Sequence, residues 1–582
     1  MKPSRKPVSL AASVLLGLSG AALLVIAGST SAGAAAARLA PPSARPAPTL
    51  AQCFARNDSA TGTTFSSADA NAVRLGAAAA VPHDVLRLAG TCNGVTFSGG
   101  TSQTVVITRP LILVGGFSNS DWFNSYPITQ PTTLDAQDLG RVISASADIT
   151  LAELTVQHGT ANGAAGGGIW AGGNLTLIGD ARLISNTALV STTLSAPQPL
   201  GLGQPQGSGP DVPGEGGGAS VRLFFALYKD LPPRSVVLYT PHDLPNGAFP
   251  LIAGNHGSVG GGFSAHQGAD LNGAYIINNT ATQQGGGGNV VGDFTADQLT
   301  LRDNHSDFYA GGVEVALGNT NLTHVTLDGN SAGDQGGGLV QYGDYFTMHN
   351  GMLTNNTSKK GGALNLFSTI MAINASYFAG NGATLAGDDL YGVGAPGTVV
   401  NSFFSTSNLV DAGADMQFLS LGSQPAVEAV SLSTFVNIHI HLAARSAAQP
   451  LAGAAAITPT AIYASGVSVL ITDTILSGFN TDLATDSLLT STIHGDYNLF
   501  SAAPVLSGTG LITGSHSLVG NPLFADAQGH LSLGSPAINH GIDIGVNTDL
   551  DGNPRPSGGA FDIGAYEYQT ALNKLFLPLL QR

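Results

Sequence analysis

"NNTSKKGGALNL", residues 355 to 366, places two asparagines a few residues ahead of a glycine pair that opens an apolar run. The same arrangement stands at 278 to 291 (NNTATQQGGGGNVV), 304 to 315 (NHSDFYAGGVEV) and 330 to 340 (NSAGDQGGGLV). Aligned on the asparagine that ends each apolar segment, the copies fall at Asn279, Asn304, Asn330, Asn356 and Asn381. Three positions earlier comes a large apolar residue each time: Ile276, Leu301, Leu327, Leu353 and Phe378. The last glycine of each cluster, Gly262, Gly288, Gly312, Gly338 and Gly362, keeps the same beat.

A period of about 25 residues marks a repeat whose single copy cannot bury its own apolar face, so copies must stack. Within each copy the apolar spacing is i, i+2, as at Val313 and Val315 or Leu299 and Leu301, which is strand rather than helix periodicity. Short strands stacked in parallel over successive coils form an all-β solenoid, a parallel β-helix rising ~4.8 Å per coil. The right hand is expected from the general preference for right-handed parallel crossovers. Asparagine is expected at sharp corners because it tolerates left-handed backbone, and it can bond along a stack of identical side chains. The glycines supply positive φ and close approach of neighbouring coils.

Composition narrows the function. Charged residues make up 10% of the 582-residue chain and the formal charge is −16, against a usual charged share of about a quarter. Nucleic acid and anionic lipid are therefore disfavoured as partners. Lys2, Arg5 and Lys6 precede an apolar stretch from Leu10 to Ala27 and a small-residue segment, the pattern of an export signal over residues 1–36, although the stretch also approaches the length of a membrane anchor. A Pro/Ala-rich spacer follows over 37–50, and no second apolar stretch is long enough to span a bilayer. Cys53 and Cys92 are expected to pair in an oxidising compartment, and neither has a C-x-x-C companion for zinc.

The asparagine followed by GGA, GGG or GGV resembles the repeats of polymorphic outer-membrane proteins and of the wider pectin-lyase-like β-helix group, over about residues 145 to 400. TVVITRPLILVGGF (104–117) and QPTTLDAQDLGRVISAS (130–146) are similar to the opening coils of secreted bacterial proteins of that type. Residues 520–568 resemble the choice-of-anchor Q domain, which in such proteins closes a β-helix ahead of a surface-attachment tail. The resemblance implies a capping region with first coils over 51–144, a β-helix over 145–519 with excursions near 187–215 and 226–252, the closing domain, and a tail over 569–582.

Chemistry is sparse in the repeats. Of the residues two beyond each glycine cluster, Ser264, Val290, Glu314, Val340 and Leu364, only Glu314 is ionisable, and alone it reads as a solvated side chain. Asp388 and Asp389, at the glycine-pair position of a terminal repeat, are the carboxyl pair an enzyme could use, but there a turn role is favoured. His439 and His441 share a strand face without an evident third metal ligand. Asp549, Asp551 and Asn553 offer closely spaced oxygens around a glycine turn, which suits calcium; the alternative is a turn with local pairing of Arg555 and Asp562. No other cofactor is expected. A binding module would display exposed aromatics, for which Tyr342, Tyr345 and Phe346 are the candidates. The sequence thus reads as a secreted or surface-attached, monomeric, non-catalytic β-helix, adhesin-like or binding a polysaccharide or another cell-surface ligand. The alternative is a polysaccharide lyase or glycoside hydrolase of the same fold.

Overall fold

The computed structural model describes residues 52–58, 62–189, 215–222, 225–228, 240–241, 248–406, 414–419, 432–442, 460–485 and 491–569. The signal segment, the spacer, most of both excursions and nearly all of the tail lie outside the described residues. The chain is a parallel β-solenoid of about 12 turns, each of about 26 residues. Its one helix among the described residues, Asn71–Ala79, packs with the antiparallel pair Cys53–Asn57 and Thr64–Ser67 at the N-terminal end. A disulfide joins Cys53 to Cys92 there, across a Cα separation of 4.7 Å.

The register places equivalent side chains over one another. Cys92, Leu134, Val156, Leu183, Ile252, Ile276, Leu301, Leu327, Leu353, Phe378 and Phe404 pair in a single file from coil to coil. None of them is more than 1% exposed. The 69-residue step from Leu183 to Ile252 absorbs a whole excursion without shifting the file. Further along, the rings of Phe378 and Phe404 stack with centroids 4.3 Å apart, and the file continues in register through Ile440, Leu476, Phe500 and Val519.

Beside this file runs a ladder of buried asparagines: Asn186, Asn255, Asn279, Asn304, Asn330, Asn356 and Asn381. Asn330 shows the pattern. Its Nδ2 donates to Leu301 O at 2.9 Å and to Asn356 Oδ1 at 3.0 Å. Its Oδ1 accepts from the backbone N–H of Asn304 at 3.1 Å and from Asn304 Nδ2 at 2.9 Å. Every polar atom of the carboxamide is used, which is what lets it lie in a dry interior. The ladder asparagines do not themselves take the left-handed backbone expected of them. The preceding residue does: Asn278 at φ 55°, Asp303 at φ 53°, Gly329 at φ 65°, Asn355 at φ 56° and Gly380 at φ 65°. The corner therefore turns one residue early, and the ladder side chain is delivered inward from it.

The glycine clusters divide their work. The first member carries the positive φ, as at Gly285 (φ 63°) and Gly336 (φ 61°), and Ala310 (φ 54°) stands in that place in one coil. The next two lie flat against the adjacent coils; a Cβ on Gly261 would sit 2.2 Å from Thr280 O. The stacked file is Gly262, Gly287, Gly312, Gly338 and Ala363, so the beat of last glycines slips at two coils, where Gly288 and Gly362 occupy neighbouring files.

Residues 520–569 return along the flank of the solenoid instead of covering its last turn. The reason lies in the outward residues beside the inward file. In the later coils Phe403, Ile475 and Leu499 are all fully buried although they face away from the interior. Leu531, Ala537 and Ile563 cover Ile475 and Leu499, while Ala565 and Tyr566 cover Phe403. On the last turns Val505 and Val519 remain 48% and 59% exposed. Thr240–Pro241, from the second excursion, pairs in parallel with Asn124–Ser125.

Replacing Asn330 by alanine strands the donors of Asn304 and the carbonyl of Leu301 in the interior. Urea denaturation of N330A is expected to show a loss of about 3 kcal/mol, whereas exposed Asn321→Ala should cost less than about 0.5 kcal/mol.

Candidate functional site

A cavity of about 850 Å³ lies between the coils and the returning segment. Its first wall is made where strands end at left-handed corners, and those corners form a file: Asn350 (φ 53°), Ala375 (φ 49°) and Asn401 (φ 48°). The preceding residues His349, Asn374 and Val400 share one register position on successive coils. The opposite wall is the turn Gly545–Gly552. Asp549 shapes that turn: its Oδ1 accepts the N–H groups of Asp551 (3.1 Å) and Asn553 (2.7 Å), and its Oδ2 accepts Asn553 Nδ2 (3.0 Å) and the N–H of Glu567 (3.1 Å). Asn401 Nδ2 reaches across to Thr548 O at 3.2 Å and joins the two walls.

Tyr377 and Tyr566 also line the cleft. Tyr377 stacks on Phe403 with centroids 5.0 Å apart. His530 lies against Tyr566, 4.3 Å between rings, and bridges two carboxylates, Asp526 Oδ2 at 2.6 Å and Asp551 Oδ2 at 2.8 Å. Burial works against the imidazolium, but the bonds to Asp526 and Asp551 outweigh it and hold the pKa of His530 above its ordinary value. Burial, reinforced by the charge of Asp551, pushes the Tyr566 phenol up.

The returning segment is fastened by a buried arginine. Arg555 Nε lies 3.1 Å from Glu567 Oε1 and Nη2 lies 3.7 Å from Asp473 Oδ2, all with fully buried side chains. It also donates to the carbonyls of Gly564 (2.7 Å) and Asp562 (2.6 Å). The expected pairing of Arg555 with Asp562 is therefore made through the Asp562 backbone, because the carboxylate of Asp562 is turned to the N–H groups of Asn539 and Tyr568. Burial raises the pKa of Asp473 to about 8, and Arg555 only partly opposes it.

The other sequence candidates are dispersed. Asp549, Asp551 and Asn553 stand close in the chain, but Asp549 is saturated by four N–H donors and Asp551 is turned to His530. Among the described residues no three His, Cys, Asp or Glu side chains form a metal-holding group. Asp389 ends the asparagine ladder, its Oδ1 accepting Asn381 Nδ2 at 2.7 Å, and Asp388 Oδ1 accepts the N–H of Ala383 at 2.6 Å; both are buried. His439 and His441 take register positions between Phe403 and Ile475 and between Ser405 and Ser477, and their side chains lie outside the described residues. Of the three aromatics, Phe346 is fully buried in the interior, Tyr342 stacks on Phe367 at 5.1 Å, and Tyr345 is exposed.

Glu314 corrects the sequence reading most sharply, because it is 1% exposed. Its true file is Ser264, Asn289, Glu314, Val340 and Asn365; Val290 and Leu364 are the inward neighbours. The strand is only four residues wide, and the adjoining file of Gln284, Tyr309, Gln335 and Lys360 rises beside it, so outward side chains lie in a trough. Burial lifts the Glu314 pKa to about 8, with the Asn289 Nδ2 bond at 3.3 Å opposing it weakly.

No family model, curated protein or solved structure matches this chain. The strand register therefore carries the fold by itself. The cleft was missed in the sequence because its walls come from segments about 150 residues apart and neither repeats the other's pattern.

The raised pKa of Glu314 has a definite sign for stability. Its folded pKa exceeds the ordinary 4.5, so its contribution is fully present below pH 4.5 and is lost as pH rises toward about 8. Glu314→Gln should therefore leave stability little changed at pH 4 and raise it by about 4 kcal/mol at pH 8, as read by calorimetric unfolding across that range.

Proposed function

We propose that the protein is a secreted or surface-attached, non-catalytic β-helix that binds glycans or other cell-surface ligands in the cleft between its coils and the turn 545–552. The cleft is the observation that carries this reading. One wall is fixed by the stacked coils and the other by Asp549 and Arg555, so the site is formed before any ligand arrives. Amide side chains beside tyrosine rings suit hydroxyl-bearing ligands, which present polar edges and apolar ring faces together.

Export is supported by the N-terminal signal pattern and agrees with the Cys53–Cys92 disulfide, which favours an oxidising compartment. The non-catalytic part is supported by the state of the carboxylates. A hydrolase of this architecture needs two carboxyl groups free to act across a bond. Of those lining the cleft, Asp549 is consumed by its turn and Asp551 is bonded to His530, while Asp388 and Asp389 are sealed at the end of the ladder.

Purified protein titrated against an array of polysaccharides and bacterial surface preparations should bind at least one without shortening it. Tyr377→Ala should weaken that binding about tenfold, equivalent to ~1.4 kcal/mol. Release of reducing ends or unsaturated sugars would overturn the non-catalytic reading.

A further inference from the structure

We infer that the chain's own apolar segment 572–580 (LNKLFLPLL) covers the open C-terminal end of the solenoid, closing the interior over Val519 and Leu506. The inference is independent of the glycan reading.

The two ends of the rod are finished differently. At the first coil the inward file begins with Cys92, fully buried where the helix Asn71–Ala79 and the antiparallel pair Cys53–Asn57 and Thr64–Ser67 pack. At the other end the file runs through Leu476 and Phe500, neither more than 1% exposed, to Val519, which is 59% exposed. A second inward file repeats this. Leu390, Met416, Ile462 and Leu483 are no more than 1% exposed, and Leu506, next in register, is 38% exposed. Val519 and Leu506 thus hold core positions on a coil with none beyond it. The backbone is open there too, since Leu506–Ser507, Leu511–Thr513 and Leu518–Val519 each pair on one side only among the described residues. An apolar interior with free strand edges is a template for association unless something covers it.

The position and composition of the following segment identify the cover. Tyr568 packs against the cluster of Ile475, Leu499 and Ile563, which Leu518 of the last coil also joins. Ile475 stands two coils before Leu518, an axial distance of ~10 Å. Residues 570–582 lie outside the described residues, and a chain of that length can reach ~43 Å, enough to pass the edge and cross the end of a coil. The segment supplies Leu572, Leu575, Phe576, Leu577, Leu579 and Leu580 and no acidic residue. Pro578 can give no ladder hydrogen bond, which suits a terminal strand and not a central one. A cover of this kind would close the interior and leave a poor template for a further strand.

The test is photo-cross-linking of the full chain with benzoylphenylalanine in place of Val519, an exposed position able to take the larger side chain. Trypsin cuts after Lys574 and releases 575–582, so mass spectrometry reads the partner directly. The expected product is that peptide joined to residue 519 in a chain that still runs as a monomer on a denaturing gel. A cross-linked dimer would place a second copy on this end and overturn the inference, as would a monomer cross-linked only elsewhere or not at all. In hydrogen exchange of the full chain, Phe576→Asp combined with Leu577→Asp should speed exchange over 506–519 by about tenfold or more and leave 370–379 unchanged. Unchanged exchange over 506–519 overturns the inference as well. Should 370–379 also exchange faster, the variant has lost its fold and the cross-link decides by itself.

Discussion

The carboxamide ladder is the interaction on which the rest depends. A solenoid has an apolar interior at every turn, but apolar packing alone does not fix which residue lies over which. A side chain that must give two hydrogen bonds and take two does fix it, because a slip of one residue would leave four buried polar groups without partners. The files of Ile, Leu and Phe on one side and of glycine on the other inherit their register from that ladder. Long insertions between coils are tolerated for the same reason: Asn186 bonds to Asn255 across 69 residues as it would across one ordinary repeat.

A second constraint acts where the outward face turns apolar. The coils that carry Phe403, Ile475 and Leu499 outward cannot present those side chains to water, and residues 520–569 cover them. The buried Arg555, held among Glu567, Asp473 and two backbone carbonyls, makes this docking specific. Such a charge cluster is costly to desolvate and more costly to break, so it fixes placement more than it adds stability. The cleft is the gap left where that cover overhangs the asparagine corners.

How much of this could be read from the residues depends on whether they repeat. The apolar file and the ladder asparagines recur every 25 or 26 residues, so a one-dimensional reading reached the coil, its period and its parallel stacking. Finer assignments failed by a single position. The corner belongs to the residue before each asparagine, and Gly288 and Gly362 are one place off the stacked file, because period alone does not say where within a coil the backbone bends. Glu314 was misjudged for a related reason: in a strand four residues wide, the neighbouring file rises high enough to enclose a side chain that alternation places outside. The cleft, formed by Asn401 and Thr548 from distant segments, leaves no periodic trace.

The ladder has a direction, since each amide gives one proton to the next asparagine toward the C-terminal end and the other to a carbonyl of the preceding coil, while its oxygen receives from the asparagine before it. Its last donor therefore has to meet a group that only accepts, and Asp389 fills that position. At the other end the backbone N–H of Gly159 donates to Asn186 Oδ1 at 2.8 Å, so start and stop are encoded by different chemistry from the middle, as in a polymer with distinct end groups. One complete turn could be excised or duplicated between them and both termini would still find their partners, so the span of the rod is free to change in whole-coil increments and in no others.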